Sequence, residues 1–251
     1  MDGADRLVRL VRRAPLLAAL SEGPLDRRDL ERRLDVSKPT VLRATGTLRE
    51  FGLVVRENGA FRLTAQGEVV AGALGRFRRV ERAAGRLAPF LATTDYAVAV
   101  EHFADATVTT QGPGDPYRPV RRFMSLVEST DRLRGFDVAT IAPGNVGTIY
   151  ERIVGGMVTD ICYPGHVVET IVESAPERSA EAAASGNLTL RVAEDVPCGL
   201  ALFDDRVGLG GYDPETGALC AFVDTDDPEA YAWAEGEFER VREGATVVVG
   251  E

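Results

Sequence analysis

At 251 residues with 45% hydrophobic side chains, the chain is long enough for two domains, each with its own core. It has no run of about 18 apolar residues to span a membrane, and its opening "MDGADRLVRLVRR" lacks the apolar core of a secretory signal, so a cytoplasmic location is expected. The net charge of -10 is unevenly placed, with residues 1–90 summing to +7 and residues 91–251 to -17, which suggests a nucleic-acid-binding arm joined to an acidic domain.

In the basic part, Leu7, Leu10, Val11, Ala14, Leu17 and Ala18 recur at helical spacing and predict a first helix ending near Gly23-Pro24. "LDRRDLERRLDVS" predicts a second, capped by Asp26, with Leu30 and Leu34 inward and Asp35-Val36 as the turn. Ser37 caps a third helix, and Pro39 in its first turn supplies a preset φ. Val41, Ala44, Leu48 and Phe51 share one of its faces, Lys38, Thr40, Arg43 and Thr47 share the other, and Gly52 ends it. "LVVRENGAFRL" then reads as two strands around Asn58-Gly59, a type I′ hairpin signal.

Three helices followed by a hairpin make a winged helix-turn-helix, whose third helix enters the major groove while the wing lies over backbone or minor groove. The residues expected to meet DNA are Ser37, Lys38, Thr40, Arg43 and Thr47 on the helix, with Arg56, Asn58 and Arg62 on the wing. Arg43 is the candidate for a guanine edge, and Arg56 and Arg62 for phosphates. With "VSKPTVLRATGTLREFGLV" and "FRLTAQG" as the matching residues, positions 5–75 resemble the winged-helix domain of archaeal transcription regulators.

From Thr64 to Leu91 an amphipathic helix is expected, with Val69, Ala73, Phe77, Val80, Ala84, Leu87 and Leu91 along one stripe. Such a stripe suits a core seam or a dimer seam. Helix-turn-helix readers usually bind as two-fold pairs, which favours a homodimer. The outer arginines Arg76, Arg78, Arg79, Arg82 and Arg86 read mostly as solvated.

Beyond Thr94, strands are expected at "ATVTTQ", "FDVATIA", "MVTDICY", "LTLRVA", "GLALFD", "RVGLGGY" and "ALCAFVDT". Helices are expected at "PVRRFMSLVEST", "NVGTIYERIVGG", "GHVVETIVES" and "DPEAYAWAEGEFERVREGA", the last packing Tyr231, Trp233 and Phe238. The pattern predicts an α/β fold (α+β overall) with a mixed sheet. The expected domains are a winged helix over 1–64, a linker or dimerisation helix over 65–94 and an α/β ligand-sensing domain over 95–251.

Catalytic parts are scarce. There are two histidines, His102 and His166, and the lone lysine, Lys38, lies in the basic arm. GxSxG, P-loop, GxGxxG and HExxH motifs are absent, so no catalytic residue is expected, and no cofactor. Gly144 and Asn145 could take an anion at a helix start, although a plain cap is the simpler reading; "DPETG" reads as a turn. Cys162, Cys198 and Cys220 lack metal-ligand spacing and read as small core residues of a reducing compartment, with no metal. One lysine against 28 arginines, with abundant carboxylates, suits a halophilic protein or a GC-rich genome.

Residues 95–245 resemble the middle, sensor-like domain of a regulator family named for control of methanogenesis, through "FADATVTTQGPGDPYRPV", "EDVPCGLALFDDRVGLGGYDPETGALCAFVDT" and "PEAYAWAEGEFERVREGA". They are also similar to the phospholipase-D-like effector domain of archaeal sugar-responsive regulators. The catalytic HxK pair is missing, since Val167-Val168 follow His166. These resemblances imply a sequence-specific transcription regulator that binds double-stranded DNA and a small-molecule effector. The alternatives are a phospholipase-D-like hydrolase with a DNA-docking arm, or a winged-helix protein-interaction module. The candidate effector wall is Asp105, Thr107, Arg121, Arg122, Cys198 and Tyr212, with the arginines suited to an anionic ligand.

Overall fold

Pro15 divides the first expected helix in two. Proline lacks the N–H that a helix interior uses and disfavours helical backbone at the preceding residue. In the computed structural model, which describes residues 3–139 and 145–250, α1 (Gly3–Arg12) therefore ends before Arg13, and α2 (Ala14–Ser21) restarts with Pro15 in its first turn. The chain divides into two units, residues 1–81 and 82–251.

The first unit continues with α3 (Arg27–Leu34), α4 (Lys38–Glu50), the strands β1 (Val54–Glu57) and β2 (Ala60–Leu63), and α5 (Ala65–Leu91), which runs on into the second unit. Asp26 caps α3 in a reciprocal capping box, with Asp29 in the role usually taken by Glu. Asp35 adopts left-handed backbone, φ 50°, to make the turn into α4. Asn58 and Gly59 both have positive φ, 50° and 84°, as a type I′ turn requires, and set the register Arg56↔Phe61 and Val55↔Arg62. Leu17, Leu30, Val41, Leu48, Leu53 and Phe61 form the core of this unit. Thr64 caps α5, its Oγ1 accepting from the Gly67 N–H at 3.0 Å. Gly67 is obligatory there, because a Cβ would sit 2.0 Å from the Leu53 carbonyl oxygen.

The second unit is an eight-stranded mixed sheet. Its strands are β3 (Thr107–Thr110), β4 (Arg132–Phe136), β5 (Val158–Tyr163), β6 (Leu188–Val192), β7 (Gly199–Leu202), β8 (Val207–Tyr212), β9 (Leu219–Thr225) and β10 (Thr246–Val249), in the order β10-β6-β5-β4-β7-β8-β9-β3. β4, β5 and β6 run parallel, and every other pair is antiparallel. The helices are α6 (Arg118–Val127), α7 (Val146–Val154), α8 (Gly165–Ser174), α9 (Pro176–Ala184) and α10 (Pro228–Glu243). Alternation along the strands separates two apolar layers. Leu200, Leu202, Leu209 and Val223 pack with α10 and with Ala83, Leu87 and Phe90 of α5. Ala201, Phe222, Ile161 and Leu190 belong to the layer of α6 to α9.

The fold is α/β with a mixed sheet, as expected, and three details differ. The strand expected at "FDVATIA" is not formed over its described residues beyond Phe136; the strand, β4, lies earlier, over Arg132–Phe136, where alternating arginines hid it: Arg134 lies over the Phe238 ring at 5.8 Å and donates to Glu235. The end of that expected strand, and Gly144, lie outside the described residues. Helix α9 and edge strand β10 were not foreseen. Among the described residues no helix is long and apolar enough to cross a membrane.

Candidate nucleic-acid interface and ligand cavity

The start of α4 is exposed because most of its apolar residues turn the other way. Val41 and Leu48 are fully buried, and Thr45 joins them by bonding its hydroxyl to the Val41 carbonyl at 2.9 Å. Ser37, Lys38, Thr40 and Arg43 are left on the surface. Ser37 Oγ does not cap the helix but lies 3.0 Å from Thr40 Oγ1. The only hydrogen bond of the Arg43 guanidinium among the described residues runs from Nε to the Pro39 carbonyl at 3.4 Å, so its terminal nitrogens remain available. Thr47 is half-buried: it accepts from Arg13 Nη2 at 3.2 Å and donates to the Arg43 carbonyl. Leu42, 46% exposed beside Arg43, was not foreseen and adds an apolar contact of the kind that reads a thymine methyl.

On the wing, Arg56 is exposed, with its guanidinium 5.5 Å from the Phe61 ring centre. Asn58 shapes the turn tip. Arg62 is engaged within the wing, donating Nε and Nη2 to the two oxygens of Glu57 at 2.8 and 2.6 Å. That pairing raises the Arg62 pKa and lowers that of Glu57. Two of the five Arg62 donors are therefore committed to Glu57.

In the second unit a cavity of about 280 Å³ opens between α6 and the sheet. Its floor is made of small residues on one face of two paired strands, Gly199 opposite Gly210 and Ala201 opposite Gly208. Val120 and Phe123 of α6, with Leu219 and Phe222, supply apolar wall. The floor cannot carry larger residues as it stands: a Cβ on Gly208 would fall 2.4 Å from the Phe222 ring, and one on Gly199 3.2 Å from Asp137 Oδ1.

Asp137, just beyond the C-terminal end of β4, supplies the one carboxylate among the described residues that line the cavity. Its Oδ2 accepts from the Tyr212 hydroxyl at 2.6 Å, and its Oδ1 accepts from the Val138 N–H at 2.7 Å. Burial pushes its pKa up to about 6, although these hydrogen bonds pull the other way. The Tyr212 hydroxyl is pushed up by the same burial and by the neighbouring carboxylate. Asp137 carried no recognisable motif in the sequence; its position after a strand end of a parallel pair was the one available signal.

Of the expected effector wall, Tyr212 lines this cavity. The other five residues are engaged or placed elsewhere. Arg121 forms a two-pronged pair with exposed Asp115. Arg122 pairs with Asp224, a fully buried residue. Cys198 is buried in the opposite layer, its thiol pushed up to about 12 by burial. Asp105 is exposed ahead of β3, and Thr107 is exposed at its first position. Of the two histidines, His102 meets Glu229 at 3.2 Å and His166 is exposed at the start of α8. No group of three or more His, Cys, Asp or Glu among the described residues could hold a metal ion.

Residues 116–244 match the family described as methanogenesis regulatory protein FilR1, middle domain, and residues 1–85 match the HVO_A0261 N-terminal domain. Comparison with curated proteins gave no match. Similar solved structures include TrmBL2, an archaeal chromatin protein, at 17% identity over 95% of this chain and 94% of that one, TM-score 0.47. The phospholipase D family member Nuc from Salmonella typhimurium is 12% identical over 58% of this chain and 99% of its own, TM-score 0.45. NucT from Helicobacter pylori is 14% identical over 59% and 99%, TM-score 0.44.

Proposed function

The chain belongs to the family of the methanogenesis regulatory protein FilR1, middle domain, and we propose that it is an archaeal DNA-binding transcription regulator whose second unit senses a small molecule. The observation that carries the DNA-binding part is the exposed start of α4. Lys38, Thr40 and Arg43 are exposed on the surface of a helix whose opposite face is locked into the core. A face of that kind placed in the major groove reads base edges through the guanidinium and holds phosphates through the ammonium. A module that docked only proteins would present an apolar face at this position; Leu42 alone does not make one. The domain boundaries expected from sequence, 1–64, 65–94 and 95–251, remain our functional division, with α5 as the linker.

The regulator acts as a homodimer in this reading. Val69, Ala73, Phe77 and Val80 are all exposed on α5, so the apolar stripe seen in the sequence is unpaired over this stretch of a single chain. Selection from a pool of random duplexes tests the proposal. It should enrich two half-sites in inverted orientation, spaced near a whole helical turn. A pool that stays random would remove the DNA-reading role.

A further inference from the structure

The cavity under α6 has a lopsided chemistry. Apart from Asp137, Tyr212, Tyr117 and Gln111, the side chains of the described lining residues are hydrocarbon, and no arginine, lysine or histidine is among them. The one carboxylate among the described lining residues is held by a hydroxyl and by two backbone N–H groups, with no cation beside it among them. Asp137 is half-buried, and a carboxylate withdrawn from water without a counter-charge costs stability. The hydrogen of the Tyr212 hydroxyl is already given to Asp137, so the tyrosine oxygen faces the cavity as an acceptor. Oδ2 of Asp137 also keeps a lone pair, whereas Oδ1 already accepts from the Val138 and Ala139 N–H groups. The polar end of the cavity therefore offers acceptors and a negative charge, and its other end offers apolar surface.

We propose that this cavity binds a small amphipathic molecule that carries an amine, with the ammonium on Asp137 and Tyr212 and the hydrocarbon against Val120, Phe123 and Leu219. The inference rests on reading the second unit as a sensor and gives that sensor its ligand class. It replaces the anionic effector expected from Arg121 and Arg122, whose guanidinium groups are held by Asp115 and Asp224. Size limits the ligand as well. An apolar cavity of about 150 Å³ takes a benzene ring, so about 280 Å³ takes one ring with a short chain. The ammonium supplies the missing counter-charge, and hydrogen bonds between ionised partners are the stronger kind. A carboxylate ligand would meet Asp137 with no cation to offset it.

Three probes with the same ring separate these possibilities: phenethylamine, 2-phenylethanol and 3-phenylpropanoate, each titrated calorimetrically into the full chain at pH 7.5. The expected order is amine tightest, alcohol weaker, and carboxylate at least tenfold weaker than the amine. Asp137→Asn should erase the preference for the amine over the alcohol. Ala201→Leu, which fills the floor without touching Asp137, should weaken both. Fluorescence melts through Trp233 show whether each variant is folded. Equal affinities, a preference for the carboxylate, or amine binding unchanged in folded Asp137→Asn would overturn the assignment. A parallel gel-shift assay on the selected duplex keeps the two readings apart. If the amine binds in the expected order and leaves DNA affinity unchanged, the ligand class stands and the sensor role falls. If no probe binds while DNA binding is intact, the amine site falls and the regulator remains.

Discussion

Arg122 reaches from α6 into the sheet to hold both oxygens of Asp224, Nε to Oδ1 at 2.9 Å and Nη2 to Oδ2 at 2.7 Å. Asp224 is 0% exposed and also accepts from Arg206 Nη1 at 2.9 Å. This buried charge, unlike Asp137, is fully answered. Removing one arginine leaves the other, whereas removing the aspartate leaves two half-buried guanidinium groups facing each other. Asp224→Ala should therefore destabilise the second unit by about 3–5 kcal/mol, and Arg122→Ala by less. Urea unfolding followed through Trp233, which packs edge-on against Phe103 at 5.6 Å, measures both. Equal losses for the two variants would contradict the shared pairing.

The same pair shows where sequence reading stops. Arg121 and Arg122 are adjacent in the chain and alike in chemistry, yet one pairs on the surface and the other with a residue 102 positions away. Nothing local distinguishes them. What was legible was local: Asn58-Gly59 dictates its own dihedral angles, Asp26 its own cap, and the 3.6-residue spacing of Val41 and Leu48 the free face of α4. The cavity was not legible, because its walls come from α6, β7, β8 and β9, and its floor is defined by side chains that glycine lacks. The fate of Arg62 was missed for a related reason. Glu57 lies across the hairpin, and register rather than composition decides whether the two meet.

The two wing and helix arginines should behave differently. Arg43→Ala removes a free guanidinium from the α4 face and should weaken binding to the selected duplex by about 1–3 kcal/mol, with one base position relaxed. Arg62→Ala removes a cation already neutralised by Glu57, so its effect should be small and uniform across sequences. Repeating the duplex selection with each variant, at two salt concentrations, checks both. A changed base preference in Arg62→Ala would show that the Glu57 pair opens on DNA.

Phe77 is 58% exposed and Val69 73% exposed on the stripe of α5. Phe77→Asp places a carboxylate in that seam. It should yield folded monomers, since Phe77 is not among the buried core of its own chain, and these should melt somewhat lower than the dimer because association no longer adds to their stability. DNA affinity should fall with loss of the paired half-site. Light scattering decides the matter: a monomeric wild type, or a dimeric Phe77→Asp, would remove the seam from α5.

Asp137 should make stability depend on pH in a defined window. Its pKa is about 6 in the folded chain against an ordinary 3.8, so the folded state holds this proton more tightly than the unfolded state does. The sign follows from linkage. The stabilising contribution is complete below pH 3.8, declines as pH rises through 6, and is lost above it. About two pKa units correspond to about 3 kcal/mol. The groups facing Asp137 do not titrate in this window, because burial pushes Tyr212, Tyr163 and Cys198 upward. Other carboxylates titrate in both wild type and Asp137→Asn and cancel in the difference. Asn keeps an acceptor for the Val138 N–H and can donate to the Tyr212 oxygen, so the cavity keeps its shape. Relative to wild type, Asp137→Asn should therefore gain stability steadily between pH 4 and 7, read as the shift in urea midpoint through Trp233 fluorescence. An ammonium ligand favours the ionised carboxylate, so phenethylamine binding near pH 6 should also release protons. Calorimetric heats that vary with the ionisation enthalpy of the buffer in wild type, and not in Asp137→Asn, are the expected result. A pH profile identical in the two proteins would mean that Asp137 is ionised throughout and that the cavity's acceptor end carries a fixed charge.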